Sequence, residues 1–368
     1  MKLGFLTHVH GPGRAAADVY RELIEFYVAA DELGVDSGWV AQHHLRGDYG
    51  RLPSPLVFLA GAAERTRRIR LGTGVTVLPL EDPLRLAEDA AVVDALSGRR
   101  LELGLGTGGA NSDAFAAFGL DPADARSLFD EKLTALRSAL RGDPLPAGPA
   151  TGVDGGAAGP DAAEAAPADP KVRILQPPAR SLAGRLWVST GSPDRAADVA
   201  RSGDGLLLGT AFHDPLTVQR PLAEAFLSAL PAVGQPGTVG ADAAGAGDAG
   251  GGPQRIGIVR AVFPAADKRT ARNDLAPALA VLREGARRRG DTQLASLDTD
   301  ATLARLNVHY GHPDEIIESL RADPALFPYA TEFIPVVTHE ASTLDDEIRR
   351  LEVIATKIAP ELGWEALS

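Results

Sequence analysis

The 368-residue sequence contains no cysteine, which excludes disulfide bonds, cysteine-ligated zinc or iron–sulfur clusters, and thiol nucleophiles. Basic residues are also scarce: 37 Lys and Arg stand against 49 Asp and Glu, which leaves a formal net charge of −12. This balance argues against a nucleic-acid partner, because neutralising phosphates requires clustered basic residues. No apolar run approaches the roughly 20 residues that cross a bilayer, and no signal-peptide apolar region follows Met1. We therefore expect a soluble, cytoplasmic protein without a membrane partner.

Short apolar segments recur along most of the chain and alternate with amphipathic ones. Their cores consist mainly of Val, Ile, Leu and Gly without strict alternation, which is typical of parallel strands covered on both faces. We predict eight strands, at Leu3–Thr7, Asp36–Val40, Ile69–Val77, Leu101–Leu105, Leu186–Ser189, Gly205–Gly209, Ile256–Val262 and Glu332–Val337.

The segments between these strands carry helix signals. Tyr20, Leu23 and Tyr27 fall on one stripe of a helix that Gly34 ends. Eight strand–helix units over this length fit a (β/α)8 TIM barrel better than an open sheet, and functional groups of such a barrel lie just after the strands. A capping residue followed by proline predicts further helix starts, at Ser54-Pro55, Asp82-Pro83, Ser192-Pro193 and Asp214-Pro215.

Two stretches interrupt this alternation. Residues 142–170 contain 21 Gly, Ala or Pro among 29, and residues 231–253 contain 17 among 23. Neither stretch has apolar periodicity, so neither can bury enough surface to offset the entropy of ordering it. We interpret both as flexible insertions in one barrel domain that spans 1–368. The long, partly helical connection 264–331 after the seventh strand is the predicted excursion or lid.

Histidines follow the first two predicted strands, His8 and His10 after the first, and His43 and His44 after the second. Barrel metallohydrolases of the amidohydrolase type place a His-x-His pair there as metal ligands, but they also use a Lys on strand four and a His on strand five. The sequence has neither, and the ligand count therefore falls short. A metal-dependent hydrolase using His8 and His10 is only a remote alternative, and we predict no metal.

The end of the fourth strand, Gly104–Gly109, reads Gly-x-Gly-x-x-Gly. A dinucleotide-binding unit would continue with a long helix, a second strand and an acidic residue about 20 residues further on. A polar turn at Asn111–Asp113 follows instead, so the dinucleotide interpretation is weak. The glycines still predict that backbone rather than side chains lines this strand end, where a flat ring can approach closely.

Four motifs in the first 110 residues resemble those of bacterial luciferase-like flavin monooxygenases. They are Trp39–His44 (WVAQHH), Gly72–Pro79 (GTGVTVLP), Asp82–Asp89 (DPLRLAED) and Asp94–Gly106 (DALSGRRLELGLG). The similarity is dense through residue 141, moderate from 172 to 212, and thin after 255. Among members of the family, the chain most resembles the alpha-type subunits of alkanal monooxygenases.

This resemblance implies a (β/α)8 barrel that binds reduced FMN at the carboxyl ends of its strands. It also implies that O2 is used to oxidise a small organic substrate, with an aldehyde as one candidate. No nicotinamide-binding unit is visible, which fits a two-component system supplied by a separate flavin reductase. Members of the family usually pair through helices near the start of the barrel, so the resemblance also implies a homodimer.

The resemblance assigns roles to three residues near the middle of the expected site. His43 occupies the position of the family's catalytic histidine, and an imidazole can move a proton at neutral pH. Gly74 and Val75 match the site of a non-proline cis peptide bond that shapes a bulge under the flavin ring.

Two positions depart from the luciferases, which carry a reactive cysteine where this chain has Gly106 and a phosphate-binding arginine where it has Thr107. The family holds the FMN phosphate on the turn after strand five, which corresponds to Ser189, Gly191 and Ser192. The amides and the dipole at a helix N-terminus attract an anion. We interpret Arg195 as the replacement for the missing positive charge.

The predicted substrate pocket contains His8, His10 and Thr210, which follow strands one and six. A second branch of the family transfers hydride from reduced deazaflavin without O2, and this is the alternative function. Its cofactor has an anionic tail that favours a basic groove, whereas no Lys follows strands five and six here. A third interpretation is a relative that binds flavin without turnover.

Overall fold

A computed structural model describes the protein over residues 1–11, 13–45, 50–109, 112–144, 174–209, 213–230, 254–288, 290–327, 329–339 and 341–366. Most of the predicted insertion at 142–170, all of that at 231–253, and the candidate residue Thr210 lie outside these ranges. No helix in the described part of the chain combines the length and the apolar content that a membrane span requires.

Parallel strands close into a barrel within the described residues. The strands are β1 (Lys2–Thr7), β2 (Ser37–Val40), β3 (Arg70–Thr73), β4 (Thr76–Val77), β5 (Leu101–Gly106), β6 (Leu186–Val188), β7 (Gly205–Leu208), β8 (Ile256–Pro264), β9 (Val308–Gly311) and β10 (Glu332–Val336). β1, β2, β3, β5, β6, β7, β8 and β10 pair in this order, and the pairing of β10 with β1 closes the ring. The predicted (β/α)8 TIM barrel is confirmed.

Pro55, Pro83 and Pro193 each begin a helix, as the proline signals predict, whereas Pro215 begins a π-helical turn that leads into a helix at Arg220. Helices surround this ring. They are α1 (Ala16–Glu32), α2 (Pro55–Arg65), α3 (Pro83–Leu96), α4 (Ser112–Phe115), α5 (Ala125–Arg141), α6 (Pro193–Arg201), α7 (Arg220–Ser228), α8 (Lys268–Arg288), α9 (Thr292–Ser296), α10 (Thr299–Arg305), α11 (Pro313–Arg321) and α12 (Leu344–Val353). Asp82 caps α3 by accepting a hydrogen bond from the Arg85 N–H (2.8 Å), which is the role that its place before a proline predicts.

The structure corrects two details of the predicted strands. The third strand was expected to run unbroken over Ile69–Val77, but it divides into β3 and β4 at Gly74 and Val75, which are joined by a cis peptide bond and belong to neither strand. The connection 264–331 contains α8, α9, α10 and α11 and also β9, which pairs with the last residues of β8 outside the ring. The sequence analysis predicted no strand there. The role of this connection as a lid stays a prediction.

Two tryptophans fill the barrel interior beneath the carboxyl ends of the strands. The rings of Trp39 and Trp187 meet edge to face, with centroids 5.4 Å apart. Gly72 and Gly205 make room for them, since a Cβ at either position would overlap an indole ring. The Trp187 N–H donates to Glu102 (2.8 Å), so the polar end of the ring is satisfied at the bottom of the barrel. The interior is therefore a packed floor, and any site must lie above it.

Candidate functional site

Three histidines meet at the ends of β1 and β2. His43 is 4% exposed, and its ring centroid lies 5.4 Å from that of His8. The centroid of His8 lies 6.4 Å from that of His10. Gly50 packs against the His43 ring with a φ of +72°, so both its conformation and the space it leaves require glycine. We call His8, His10 and His43 the histidine group.

Burial controls the protonation of the side chains around this group. It lowers the pKa of His8 well below the ordinary value, with smaller contributions from His43 and His10. Burial and the neighbouring His43 lower the pKa of His10 to about 4. His339 follows β10, and burial, Arg350 and His10 lower its pKa to about 4 as well. These three imidazoles are neutral at pH 7, so each can accept a proton at one nitrogen and donate from the other.

Gln42 ties the end of β2 to the segment around β4. Its Oε1 accepts a hydrogen bond from the Val77 N–H (2.6 Å), and its Nε2 donates to Glu81 (2.6 Å). The same Nε2 lies 2.9 Å from Nε2 of His44, so His44 shares a side of the chain with Gln42, as alternate side chains do. His43 faces His8 instead. Gln42 therefore holds β4 and the turn that follows it against the end of β2.

A surface made largely of backbone lies at the carboxyl ends of β3 and β5. The peptide bond between Gly74 and Val75 is cis, as the resemblance implied. A Cβ on Gly106 would lie 2.6 Å from Cγ2 of Val75, so only glycine lets these two segments approach so closely. Gly74 and Val75 are half-buried, and Thr107 is exposed. We call Gly74, Val75, Gly106 and Thr107 the glycine surface.

The turn between β6 and α6 presents backbone N–H groups. Ser189 donates its N–H to the carbonyl of Leu105 (2.9 Å), and Ser192 donates its N–H to Oγ1 of Thr190 (3.2 Å). Gly191 is exposed, and Ser192 directly precedes the first turn of α6. The first amides of this nine-residue helix point toward the turn, where the helix dipole favours an anion.

Arg195 lies in α6 next to this turn, but its charge is paired with Asp130 of α5. The guanidinium contacts both carboxylate oxygens, with Nη1 2.5 Å from Oδ1. The hydrogen bond that Arg195 donates to Asp130 raises the pKa of Arg195. Sequence reasoning missed Asp130, because it is 65 residues away and no local pattern connects two positions on different helices.

The predicted pocket residues His8 and His10 line a cavity of about 70 Å³, together with His339 and Glu347. Thr210, the third predicted pocket residue, lies outside the described residues. Sequence reasoning missed Glu347, since it reads as part of the acidic start of a solvated helix. His339 had a signal, because it directly follows the eighth predicted strand. Within the described ranges, no group of three or more His, Asp or Glu side chains could hold a metal ion.

The fold and the position of these groups define the class of protein: a (β/α)8 barrel whose functional side chains gather at the carboxyl ends of its strands. A family model described as luciferase-like monooxygenase matches residues 1–325. The chain belongs to the luciferase-like monooxygenase family.

Several curated relatives match a little more than a third of the chain. The 4-hydroxyprotoasukamycin monooxygenase of Streptomyces nodosus subsp. asukaensis is 42% identical over 140 residues, which cover 38% of this chain and 37% of that protein. The oxygenase component of a flavin-dependent trigonelline monooxygenase from Acinetobacter baylyi is 32% identical over 34% of this chain and 35% of its own length. An alkanal monooxygenase alpha chain of Photorhabdus laumondii is 33% identical over 35% of each chain. The chain thus spans little more than a third of the length of these relatives.

Solved structures match over nearly the whole chain. The monooxygenase RslO1 of Streptomyces bottropensis has a TM-score of 0.73 at 24% identity, covering 98% of this chain and 100% of that one. The oxygenating constituent of 3,6-diketocamphane monooxygenase from Pseudomonas putida, in complex with FMN, has a TM-score of 0.67 at 19% identity and 98% coverage of both chains. An F420-dependent secondary alcohol dehydrogenase has a TM-score of 0.65 at 14% identity, also covering 98% of both chains. At these identities the matches establish the fold alone.

Proposed function

We propose that the protein is the oxygenase component of a two-component flavin-dependent monooxygenase, which uses reduced FMN and O2 to oxidise a small organic substrate. The observation that carries this proposal is the pairing of the histidine group with the glycine surface at one end of the barrel. A buried imidazole and an accessible stretch of backbone are what a proton-transfer step beside a flat cofactor requires. Membership of the luciferase-like monooxygenase family supports the same reaction class.

The residues present fit reduced FMN. At the glycine surface, Gly106 leaves the end of β5 without a side chain, and the half-buried Gly74 and Val75 give a ring a backbone face to contact. The turn at Gly191 and Ser192 leads into α6, whose first N–H groups belong to Asp194 and Arg195 because Pro193 has none, and the phosphate would lie at this helix N-terminus. When bound, the reduced flavin supplies the two electrons with which O2 is activated.

His43 is the proposed catalytic residue. Its buried ring lies next to His8, which is neutral at pH 7, so His43 can exchange a proton with a neighbouring imidazole. General acid–base catalysis of this kind is typically worth about 10²–10⁴-fold in rate. His8, His10 and Thr210 are the proposed substrate-side residues, and an aldehyde is one candidate substrate, as in the alkanal monooxygenases that the chain resembles.

A reductase partner follows from the same proposal. A relative is named as the oxygenase component of its system, which points to a separate protein that delivers the reduced flavin. Such a reductase draws on reduced nicotinamide cofactors, which places the pair in the cytoplasm. The exposed apolar residues Val57 of α2 and Val92 and Leu96 of α3 support a homodimer formed through these helices.

Hydride transfer from reduced deazaflavin is the second candidate, because an F420-dependent dehydrogenase shares the fold. The charges around the turn between β6 and α6 favour FMN over deazaflavin. Asp194 lies in the first turn of α6, and Asp130 already pairs with Arg195, so the anionic tail of deazaflavin would meet little unpaired positive charge there.

Anaerobic titration of the purified protein with reduced FMN and, separately, with reduced deazaflavin distinguishes the two. We expect saturable quenching of tryptophan fluorescence with reduced FMN, and faster O2 consumption once O2 and a small aldehyde are added. Binding of deazaflavin alone would replace the proposal with its alternative. Binding of FMN without substrate-dependent O2 consumption would identify a flavin-binding protein without turnover.

A further inference from the structure

A polar cavity lies directly behind the histidine group, between the first turns of α1 and α12. Its volume is about 70 Å³, and its walls include His8, His10, Glu22 and Glu347. One water molecule needs about 10–15 Å³ of such space, so the cavity has room for several. The walls also offer the hydroxyl groups that ordered water requires, including that of Thr338.

Glu347 is the unusual member of this cavity. Burial raises its pKa to about 8, and the like charges of Glu22 and Asp346 act in the same direction, while Arg350 and Arg14 oppose them. At neutral pH its carboxyl group is therefore mainly protonated and able to donate. The other titratable groups that face the cavity are Glu22 of α1 and Arg14, which form an ion pair, His8 and His10 after β1, and His339 after β10.

Arg350 lies one turn from Glu347 on α12 but directs its guanidinium elsewhere. It donates to the carbonyl of Val337 (3.1 Å), to the hydroxyl of Ser342 (2.8 Å) and to Nε2 of His339 (3.1 Å). His339 is thereby held by a permanent cation that opposes its protonation. We therefore place His339 outside the proton path. Glu347 is then the proton donor at the outer wall of the cavity.

We propose that Glu347, the cavity water and the imidazoles of His10 and His8 form a proton-transfer path between solvent and His43. The proposal rests on the proposed function, in which His43 exchanges a proton with the reacting species. The carboxyl O–H of Glu347 gives its proton to water, water passes one to a ring nitrogen of His10, and the transfer continues through His8 to His43. Solvent at the rim beside Arg14 and Glu22 returns a proton to Glu347. One proton moves inward and no electrons are transferred.

The spacing of the rings suits such transfer. Centroids 5.4 Å apart, as for His8 and His43, and 6.4 Å apart, as for His8 and His10, leave ring nitrogens within reach of each other or of one bridging water. Burial keeps His8 and His10 neutral at pH 7 and keeps the carboxyl group of Glu347 mainly protonated, so each of them can both accept and donate a proton. Glu347 and His10 are thus positioning residues that act through His43.

The protonation of Glu347 can be measured without any flavin. In the infrared spectrum of the full chain, we expect a carbonyl band of a protonated carboxylic acid that disappears as the pH rises through about 8. Glu347→Gln should remove this band. The control Asp345→Asn alters an exposed carboxylate in the same helical turn and should keep it. The buried Glu332, whose pKa burial also raises, can add to the band, so the test is the component that titrates near pH 8. A native spectrum without this component, or a Glu347→Gln spectrum that keeps it, would overturn the proposal.

The path itself is tested in the flavin-loaded enzyme. Glu347→Gln should lower the turnover rate about tenfold or more with unchanged FMN affinity, and added imidazole should restore the rate in proportion to its concentration. His10→Asn should show the same loss and rescue, whereas Asp345→Asn should show neither. A native rate in Glu347→Gln, or a loss that imidazole does not restore, would mean that these residues carry no proton. If the native protein does not bind reduced FMN, the proposed function itself is overturned. The proton path would then have no reaction to supply at His43.

Discussion

His43 is deeply buried and has the imidazole of His8 as a close neighbour. This environment determines how replacing His43 should affect FMN binding and turnover. We predict that His43→Ala retains binding of reduced FMN and lowers turnover about 100-fold or more, because a proton-transfer group is lost while the glycine surface is untouched. Single-turnover kinetics alongside fluorescence titration separate the two effects. The control His44→Ala removes an imidazole on the other side of the chain and should retain most turnover. Unchanged turnover in His43→Ala would show that the residue has no catalytic role.

Gly106 gives a second prediction at the scale of one residue. Adding a methyl group in Gly106→Ala places a Cβ 2.6 Å from Val75, so the segments must move apart at a cost of about 1–3 kcal/mol. We expect weaker FMN binding and a lower unfolding midpoint in urea. Gly109→Ala is the matched control, since a Cβ at Gly109 meets nothing within 4 Å and should change neither measurement. Equal FMN affinity in both variants would show that the cofactor does not use this surface.

The pair formed by Arg195 and Asp130 allows a two-sided test of the phosphate site. If Arg195 supplies positive charge to the phosphate, Arg195→Ala should weaken FMN binding about tenfold, which corresponds to about 1.4 kcal/mol. Asp130→Asn releases the guanidinium from its partner and should strengthen binding. Riboflavin, which has no phosphate, should respond to neither change. If Arg195→Ala does not weaken FMN binding, or Asp130→Asn does not strengthen it, Arg195 only joins α6 to α5 and does not bind the phosphate.

At the scale of elements, a buried ion pair anchors β9 and α11 to the barrel. Arg260 of β8 is 2% exposed and bonds Asp323 after α11 at 2.7 and 3.1 Å, with His309 of β9 beside them. Burial alone would raise the pKa of Asp323, but His309 and Arg260 outweigh it and hold the pKa below its ordinary value. The ion pair therefore stabilises the attachment of the long connection only while Asp323 is ionised.

This pair makes stability depend on pH in a defined direction. Because the folded pKa of Asp323 is lowered, its contribution is complete above the unfolded value of about 4 and disappears as the pH falls through the folded value. We predict that Asp323→Asn loses about 3–5 kcal/mol at pH 7, since it leaves Arg260 buried without a charged partner. Urea unfolding from pH 7 to pH 3 should show the difference from the native protein shrinking below about pH 4. A constant difference would contradict the assignment.

At the scale of the whole molecule, an apolar face on α2 and α3 remains exposed. Val57 is 76% exposed, Leu96 53% and Val92 46%. We predict a dimer with twice the 38.3 kDa mass of one chain in light scattering after gel filtration. The double change Val57→Glu and Leu96→Glu should produce a monomer, because it places charges in a face that must be desolvated. Val281→Glu, on the distant α8, is the control, and a monomeric native protein would refute the prediction.

Local signals in the sequence were sufficient for the architecture. Apolar segments without alternation marked the strands of the ring, and a capping residue before proline marked the starts of α2, α3 and α6, because both signals act over a few residues. The short strand β9 was not predicted from the sequence. Val308–Gly311 mixes polar and apolar residues, and it forms a strand by pairing with the end of β8. The motif around His43 predicted this residue as part of the site, and its position next to His8 became visible only in the tertiary structure.

The sequence by itself therefore determined the barrel, its helix starts and the family to which it belongs, because strand patterning, capping and contiguous motifs are encoded locally. Only the tertiary structure decided the electrostatics of the site. Arg195 pairs with Asp130 of another helix. Glu347 lines the same cavity as His10, although the two residues are far apart in the chain. Charge pairing and desolvation set pKa values through distances in space, and linear order does not contain those distances.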